Sequence, residues 1–195
     1  MLRALPDIDG SRKLRLWCVA WARLILTGAE TRIPLSGAGT EAIAAYTREV
    51  DAAEAFADGL LTRRELHSAK ASSGGPHNVF HFASSLSRLT PDRIITLLWE
   101  WVHEFPIPSD KQLAAFISDI FGNPFHPVSI DQSWLTPTVL ALAQQMYDSR
   151  DFSAMPILAD ALQDADCDNE DVLNHCRQLG EHIRGCFVVD LLLGK

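Results

Sequence analysis

The chain has 195 residues, of which 47% are hydrophobic and 22% are charged, and this composition is typical of a folded globular protein rather than a disordered one. The formal net charge of −8 is concentrated in residues 77–195, which carry seven Lys and Arg against sixteen Asp and Glu. An acidic surface repels phosphate backbones, so these totals argue against a nucleic-acid-binding protein.

Apolar residues recur every three or four positions along most of the chain, which is the spacing of one face of an amphipathic helix. In the N-terminal part this pattern predicts helices over residues 11–26 and 40–57. Thr62 and Glu65 have the spacing of a capping box, in which each side chain bonds the backbone amide of the other residue, and they predict a third helix. No segment shows the strict alternation of a strand. We therefore predict an all-α fold of roughly eight to nine helices without a sheet.

The C-terminal part contains the remaining predicted helices. Thr136-Pro137 combines a capping residue with a proline at the first helical position, and predicts a helix over residues 137–149. Asp168 is the expected cap of a helix that ends at Arg177. The other predicted helices lie at residues 79–86, 91–104, 109–122, 153–162 and 181–193.

The segment Ser-Ser-Gly-Gly-Pro at residues 72–76 is the strongest candidate for a domain boundary, because it is rich in residues that favour turns and linkers. We predict a helical N-terminal part over residues 1–72 and a helical C-terminal core over residues 77–195. One continuous domain over residues 1–195 is the alternative.

A rigid non-helical segment is expected at residues 121–128, directly after a helix that Gly122 ends. Pro124 and Pro127 remove backbone donors that a helix needs, and they restrict the residues before them to extended conformations. We expect the aromatic side chains of Phe121 and Phe125 to hold this segment against the core.

The apolar segments are short or interrupted by charges. Residues 14–26 contain Arg15 and Arg23, and residues 187–193 contain Asp190. No stretch reaches the ~20 apolar residues of a membrane-spanning helix, and the N-terminal residues do not resemble a signal peptide. We therefore expect no membrane association and a cytoplasmic location, where the four cysteines remain reduced thiols.

Two motifs carry a resemblance to known sequences. The first is I-F-G-N-P-F-H-P-V at residues 120–128, and the second is the C-terminal pattern H-C-R…H-I-R-G-C-F-V-V-D-L-L-L-G-K within residues 175–195. With weaker matches at residues 11–16 and 57–66, the chain resembles a family of uncharacterised bacterial proteins abundant in planctomycetes. That family has no assigned activity, so the resemblance implies a bacterial protein without implying a mechanism.

Five residues of the kinds that bind zinc lie close together near the C-terminus: Cys167, His175, Cys176, His182 and Cys186. His182 and Cys186 are four positions apart, so they would share one face of the predicted last helix. Cys167 and Cys176 would flank a helix and lie ~13 Å apart, which is too far for one ion. We therefore predict Cys176, His182 and Cys186 as metal ligands, with the fourth ligand unassigned. His175 and Cys167 are the alternates, and simple core packing of these side chains is the competing interpretation.

Other kinds of site fail on spacing. Residues 164–175 begin like a calcium-binding loop, but they lack the glycine at its sixth position and the glutamate at its twelfth. Glu100 and His103 have the spacing of half a di-iron site, and the chain has no second copy. The G-x-S-x-G motif of a serine nucleophile is also absent. The sequence therefore favours a non-catalytic protein over an enzyme.

Three function hypotheses follow. The leading one is a helical protein-interaction module, because an acidic C-terminal part and a mildly basic first helix suit a protein partner or a second copy of the chain. The alternative is a zinc-stabilised or metal-using protein centred on the C-terminal Cys and His residues. A thiol enzyme based on Cys176 or Cys186 is the third hypothesis. No cofactor besides zinc is expected.

Overall fold

A computed structural model describes residues 12–27, 40–71 and 110–195. Within these ranges the chain forms eight α-helices, one 3₁₀ helix and no β-strand. The prediction of an all-α fold is therefore confirmed for the described part of the chain. Among these helices, none combines the length and the apolar character needed to cross a membrane.

The chain divides into two compact units, residues 1–111 and 112–195. The linker predicted at residues 72–76 lies outside the described residues, as do the helices predicted at 79–86 and 91–104. The division into parts over 1–72 and 77–195 therefore stays a prediction.

The first unit contains three described helices that pack in sequence. Helix α1 (Arg12–Thr27) packs on α2 (Thr40–Ala57), and α2 packs on α3 (Arg63–Ala71). Their apolar faces form a small core from Val19, Ala22, Val50, Ala52, Ala53 and Leu66. Arg23 of α1 adds a polar link to α2, because one of its guanidinium nitrogens lies 3.1 Å from the carboxylate of Glu54. The predicted ends of α1 and α2 agree with the structure to within one residue.

The capping box predicted before α3 is confirmed. The backbone N–H of Thr62 donates to Oε2 of Glu65 at 2.7 Å, and the N–H of Glu65 donates to Oγ1 of Thr62 at 3.3 Å. Each side chain thus satisfies an amide that has no partner within the helix. The same two residues fix where α3 begins.

The second unit is built from five helices, the first of which starts at the boundary between the units. They are α4 (Asp110–Phe121), α5 (Pro137–Ser149), α6 (Met155–Asp164), α7 (Glu170–Arg177) and α8 (Phe187–Leu193). Helix α5 packs on α6 and α8, and α7 also packs on α6 and α8. The buried faces of helices α5 to α8 form one apolar core, which includes Val139, Met146, Leu158, Leu162, Val172, Cys176 and Val188. Packing of α7 against α8 places the end of α7 near the beginning of α8.

The start of α5 is as predicted. Oγ1 of Thr136 accepts a hydrogen bond from the backbone N–H of Val139 at 3.3 Å, and Pro137 occupies the first helical position. The cap and the proline are local features that need no tertiary contact.

The helix predicted over residues 181–193 is wrong in its first half. Helix α8 begins only at Phe187, and residues 178–186 are non-helical. Gly185 has a φ of 102°, which no residue of a right-handed helix adopts. His182 and Cys186 therefore do not lie on one helix face, although their spacing suggested it.

Two smaller expectations are also wrong. Helix α7 is capped by Asn169 rather than Asp168, because Oδ1 of Asn169 accepts a hydrogen bond from the N–H of Val172 at 3.1 Å. Both residue types are good caps, so the sequence does not distinguish them. Phe125 is 83% exposed rather than packed on the core. Its N–H donates to Oδ1 of Asn123 at 3.0 Å, and this tight turn directs the aromatic ring outward.

Candidate metal centre

Four side chains with metal-binding atoms meet in the second unit. They come from the end of α4, from α7, from the loop between α7 and α8, and from the residue before α8. They are Asp119, His175, His182 and Cys186, and together we call them the donor cluster. One carboxylate oxygen, one nitrogen of each imidazole and the sulfur all lie within 4.8 Å of one another.

Asp119 is the centre of the hydrogen bonds within the donor cluster. Its Oδ1 lies 3.0 Å from Nε2 of His175 and 2.6 Å from Nδ1 of His182. Its Oδ2 accepts a hydrogen bond from the backbone N–H of Ile183 at 2.9 Å. The side chain is only 2% exposed, so these three contacts replace the water that a carboxylate otherwise binds. The carboxylate therefore holds the loop between α7 and α8 against the end of α4.

His175 is held at both ring nitrogens and on one face. Besides its contact with Asp119, Nε2 lies 3.3 Å from Sγ of Cys186. On the opposite side of the ring, Nδ1 lies 3.0 Å from Nε2 of Gln178. The ring of Phe187 packs on the imidazole, with 4.5 Å between ring centroids. The orientation of this imidazole is thus set by its neighbours.

Gly122 explains how the end of α4 approaches the start of α8. It has a φ of 63°, and its N–H donates to the carbonyl of Ser118 at 2.9 Å, so it ends α4 as predicted. A Cβ atom at this position would lie only 3.0 Å from the ring of Phe187. The absence of a side chain at Gly122 therefore lets the ring of Phe187 approach closely. Because Cys186 directly precedes Phe187, this approach also brings Cys186 near the end of α4.

Burial and neighbouring charges change two pKa values in the donor cluster. Burial acts to raise the pKa of Asp119, but hydrogen bonds from both imidazoles and from the Ile183 amide hold it below its ordinary value. Burial raises the pKa of the Cys186 thiol far above its ordinary value, and the charge of Asp119 raises it further. Without a cation, the donor cluster thus pairs an ionised carboxylate with a protonated thiol.

The two ring nitrogens of His182 have different surroundings. The side chain of His182 is 5% exposed, and its Nε2 has no hydrogen-bond partner among the described residues. Its Nδ1 is the nitrogen that contacts Asp119. The two imidazoles therefore differ, because His175 is anchored at both nitrogens and His182 at one.

The contacts do not form the relay of a thiol enzyme. In such a relay, one imidazole nitrogen faces the nucleophile and the other faces the acid or amide that orients the ring. Here Nε2 of His175 faces both Cys186 and Asp119. The raised pKa of the fully buried Cys186 also opposes formation of a reactive thiolate. The convergence of several donor atoms on one point is instead typical of a metal site.

The spacing of the donor atoms suits a tetrahedral ion. Bonds of ~2.0 Å to nitrogen or oxygen and ~2.3 Å to sulfur imply distances of ~3.3–3.6 Å between ligand atoms at tetrahedral angles. The measured contacts of 2.6, 3.0 and 3.3 Å, within an overall limit of 4.8 Å, bracket that range. To reach that range, two donor atoms at the 4.8 Å limit would have to approach each other by about 1.2 Å, and the closest pair would have to separate by about 0.7 Å.

Sequence reasoning identified part of this cluster. The structure brings together the predicted ligands His182 and Cys186 with the alternate His175. Cys176 and Cys167 are buried in the apolar core of the second unit and do not belong to the donor cluster.

Sequence reasoning missed Asp119. It lies one turn after the buried Phe116 and is itself buried, so it is an acidic residue on the inner side of α4. A buried acid needs a hydrogen-bonding or charged partner. The position of Asp119 on the inner face of α4 was therefore the sequence feature that could have identified it as a site residue.

No family model, no curated protein and no solved structure matches the chain. The resemblance to the bacterial family described above therefore stays a prediction, and the function rests on the geometry of the donor cluster.

Proposed function

We propose that residues 112–195 form a zinc-stabilised helical unit in which the donor cluster holds one Zn²⁺. The observation that carries this proposal is the convergence of a carboxylate, two imidazoles and a thiol within 4.8 Å in a buried position. Zinc is the metal that this mixture of oxygen, nitrogen and sulfur donors fits best at four-coordinate geometry.

Charge balance supports a divalent ion. A bound cation would remove the proton from the Cys186 thiol, because the thiolate is the form that coordinates metal. Two negative ligands, Asp119 and Cys186, would then neutralise the two charges of Zn²⁺. A neutral complex is what a buried site favours, because an uncompensated charge is expensive away from water.

The burial of the ligands supports a structural role. Asp119, His175 and Cys186 are 2%, 7% and 0% exposed, respectively. A catalytic zinc keeps a position open for water or substrate, whereas four protein ligands in a buried position leave none. The function supported best is therefore stabilisation of the fold.

The ion would link segments that are distant in sequence. Asp119 lies at the end of α4, and its partner His175 is 56 residues further along the chain. Cys186 directly precedes α8. Metal binding would therefore hold α4, α7 and α8 together around the loop of residues 178–186, and it would contribute directly to the free energy of unfolding.

Elemental analysis tests the proposal directly. The protein is purified without added metal, and its zinc content is measured by mass spectrometry. We expect one zinc per chain in the wild type and almost none in Cys186→Ala. Cys176→Ala is the matched control, because Cys176 is equally buried but lies outside the donor cluster, so this variant should keep its zinc.

Two results would contradict the proposal. Wild-type protein that contains no zinc, and takes up none when titrated with zinc or cobalt, would remove it. Equal zinc content in the Cys186→Ala and Cys176→Ala variants would also remove it, because the ion would then bind elsewhere. Titration with cobalt adds a second measurement, since coordination by Cys186 gives a thiolate-to-metal charge-transfer band. Only the Cys186→Ala variant should lose this band.

The hypothesis of a protein-interaction module requires a second protein or a second copy of the chain, and it stays a prediction. We retain the cytoplasm as the proposed location, because a reducing compartment keeps the single thiol ligand available for metal.

A further inference from the structure

We infer that Gln178 is a positioning residue for the metal site: its side-chain amide selects Nε2 of His175 as the ligand nitrogen and strengthens metal binding. This inference rests on the proposed zinc site. It assigns a role to a residue outside the donor cluster.

The position of Gln178 carries the inference. It is the C-terminal cap of α7, where its backbone N–H donates to the carbonyl of Asn174 at 2.9 Å. Gln178 follows His175 by three residues, so the two side chains are neighbours at the end of α7. The amide Nε2 of Gln178 lies 3.0 Å from Nδ1 of the imidazole. The contact is on the side of the ring opposite Asp119 and Cys186. Gln178 therefore acts on the imidazole without occupying the space of the metal.

An imidazole that binds metal through one nitrogen carries its proton on the other. When Nε2 of His175 coordinates, Nδ1 becomes an N–H donor and needs an acceptor in a buried site. The amide of Gln178 offers Oε1 as that acceptor after a half-turn about its last bond. Before metal binds, the same amide donates its N–H to the bare Nδ1, while Nε2–H points towards Asp119. One side chain therefore satisfies His175 in both states.

His182 provides an internal comparison. If His182 binds metal through Nδ1, its Nε2 carries the proton, and this atom has no partner among the described residues. A buried donor without an acceptor loses its hydrogen bonds to water and gains none in return, which weakens metal binding. His175 avoids this loss through Gln178. Removing the amide should therefore make His175 as poor a ligand as an unsupported imidazole.

Two variants of Gln178 separate positioning from packing. Gln178→Leu removes the amide and keeps the approximate size of the side chain, so Nδ1 loses its acceptor. Gln178→Glu restores an acceptor, and a carboxylate is the partner that most increases the basicity of a metal-binding imidazole. Gln145→Leu is the matched control, because Gln145 is an exposed glutamine of α5 outside the donor cluster.

The experiment measures zinc affinity by competition with a chromophoric chelator. We expect Gln178→Leu to weaken binding by about tenfold to a hundredfold, Gln178→Glu to bind at least as tightly as the wild type, and Gln145→Leu to be unchanged. Rescue by glutamate distinguishes positioning of the imidazole from a general loss of packing, which glutamate would not repair.

Nitrogen NMR of the metal-free and the zinc-bound protein gives an independent readout. Because the Asp119 carboxylate faces Nε2, we expect the proton of metal-free His175 to reside on Nε2 in both the wild type and Gln178→Leu. When zinc binds, the proton should move to Nδ1, and the Nδ1–H should be protected from exchange with water in the wild type but not in Gln178→Leu. Tight zinc binding by the wild type with unchanged affinity in Gln178→Leu would overturn the role of Gln178 and leave the zinc site standing. A wild type that binds no zinc would overturn both.

Discussion

Nε2 of His175 lies 3.0 Å from Oδ1 of Asp119, although 56 residues separate them in the chain. This contact joins the last turn of α4 to α7, and Asp119 extends it to the following loop through His182 and the Ile183 amide. The arrangement has consequences for stability even without a metal, because three groups depend on one buried carboxylate.

The first prediction concerns Asp119→Ala. Removing the carboxylate leaves two buried imidazoles and a backbone N–H without their acceptor, so the free energy of unfolding should fall by about 3–5 kcal/mol. Urea unfolding in the presence of a chelator measures this change separately from any effect of zinc.

Asp160→Ala is the control for that measurement. Asp160 is 76% exposed, and its pair with Arg177 spans 3.4 Å, so its loss should change stability by less than about 1 kcal/mol. Equal effects of the two substitutions would contradict the central role of the Asp119 carboxylate.

The second prediction concerns pH. The pKa of Asp119 in the folded protein is below its ordinary value, because the hydrogen bonds from both imidazoles outweigh the effect of burial. Its stabilising contribution is therefore complete above the unfolded pKa of about 3.9, and it is lost as the pH falls through the lower folded pKa. Metal-free wild type should lose more stability on acidification below about pH 4 than Asp119→Asn does. Parallel curves for the two proteins would show that Asp119 is not the group responsible.

The third prediction compares two glycines with almost the same backbone conformation. Gly122 and Gly194 have φ values of 63° and 64°, so an alanine at either position costs about 1–2 kcal/mol of strain. At Gly122 the new Cβ would also lie 3.0 Å from the ring of Phe187, whereas at Gly194 it meets nothing within 4 Å. We expect Gly122→Ala to cost about 1–3 kcal/mol more than Gly194→Ala.

The same pair of variants tests the link between Gly122 and the metal site. Phe187 packs on His175, so a displaced Phe187 should weaken zinc binding in Gly122→Ala but not in Gly194→Ala. Chemical unfolding and chelator competition provide the two measurements. Identical zinc affinities would indicate that the approach of Phe187 to Gly122 does not support the site.

The fourth prediction concerns thiol reactivity in the metal-free protein. Burial raises the pKa of Cys176 to about 12 and raises the pKa values of Cys18, Cys167 and Cys186 as well. Because the thiolate is the reactive form, all four cysteines should label slowly in the folded protein and rapidly in urea. Cys167 should react first, since the other three are completely buried. Rapid labelling of Cys186 under native conditions would favour the thiol-enzyme hypothesis instead.

Much of the fold could be predicted from local sequence features. The cap and proline at Thr136 and Pro137, the capping box of Thr62 and Glu65, and the termination of α4 at Gly122 all appear in the structure. Each depends on interactions within about four residues, so the sequence contains the necessary information. The error in the last helix also has a local cause, because glycine tolerates both helical and non-helical φ and the sequence does not show which one Gly185 adopts.

The sequence by itself determined the class of fold, most helix ends, and the kinds of side chain available for a metal near the C-terminus. Only the tertiary structure decided which of them meet: Asp119 and His175 belong to the donor cluster, and Cys176 does not. The physical reason is that helix periodicity and capping are set by near neighbours, whereas a ligand set is defined by atoms within a few ångströms in space. Those atoms come from residues as far apart as Asp119 and Cys186, and only the packing of α7 and α8 and the approach of Phe187 to Gly122 bring them together.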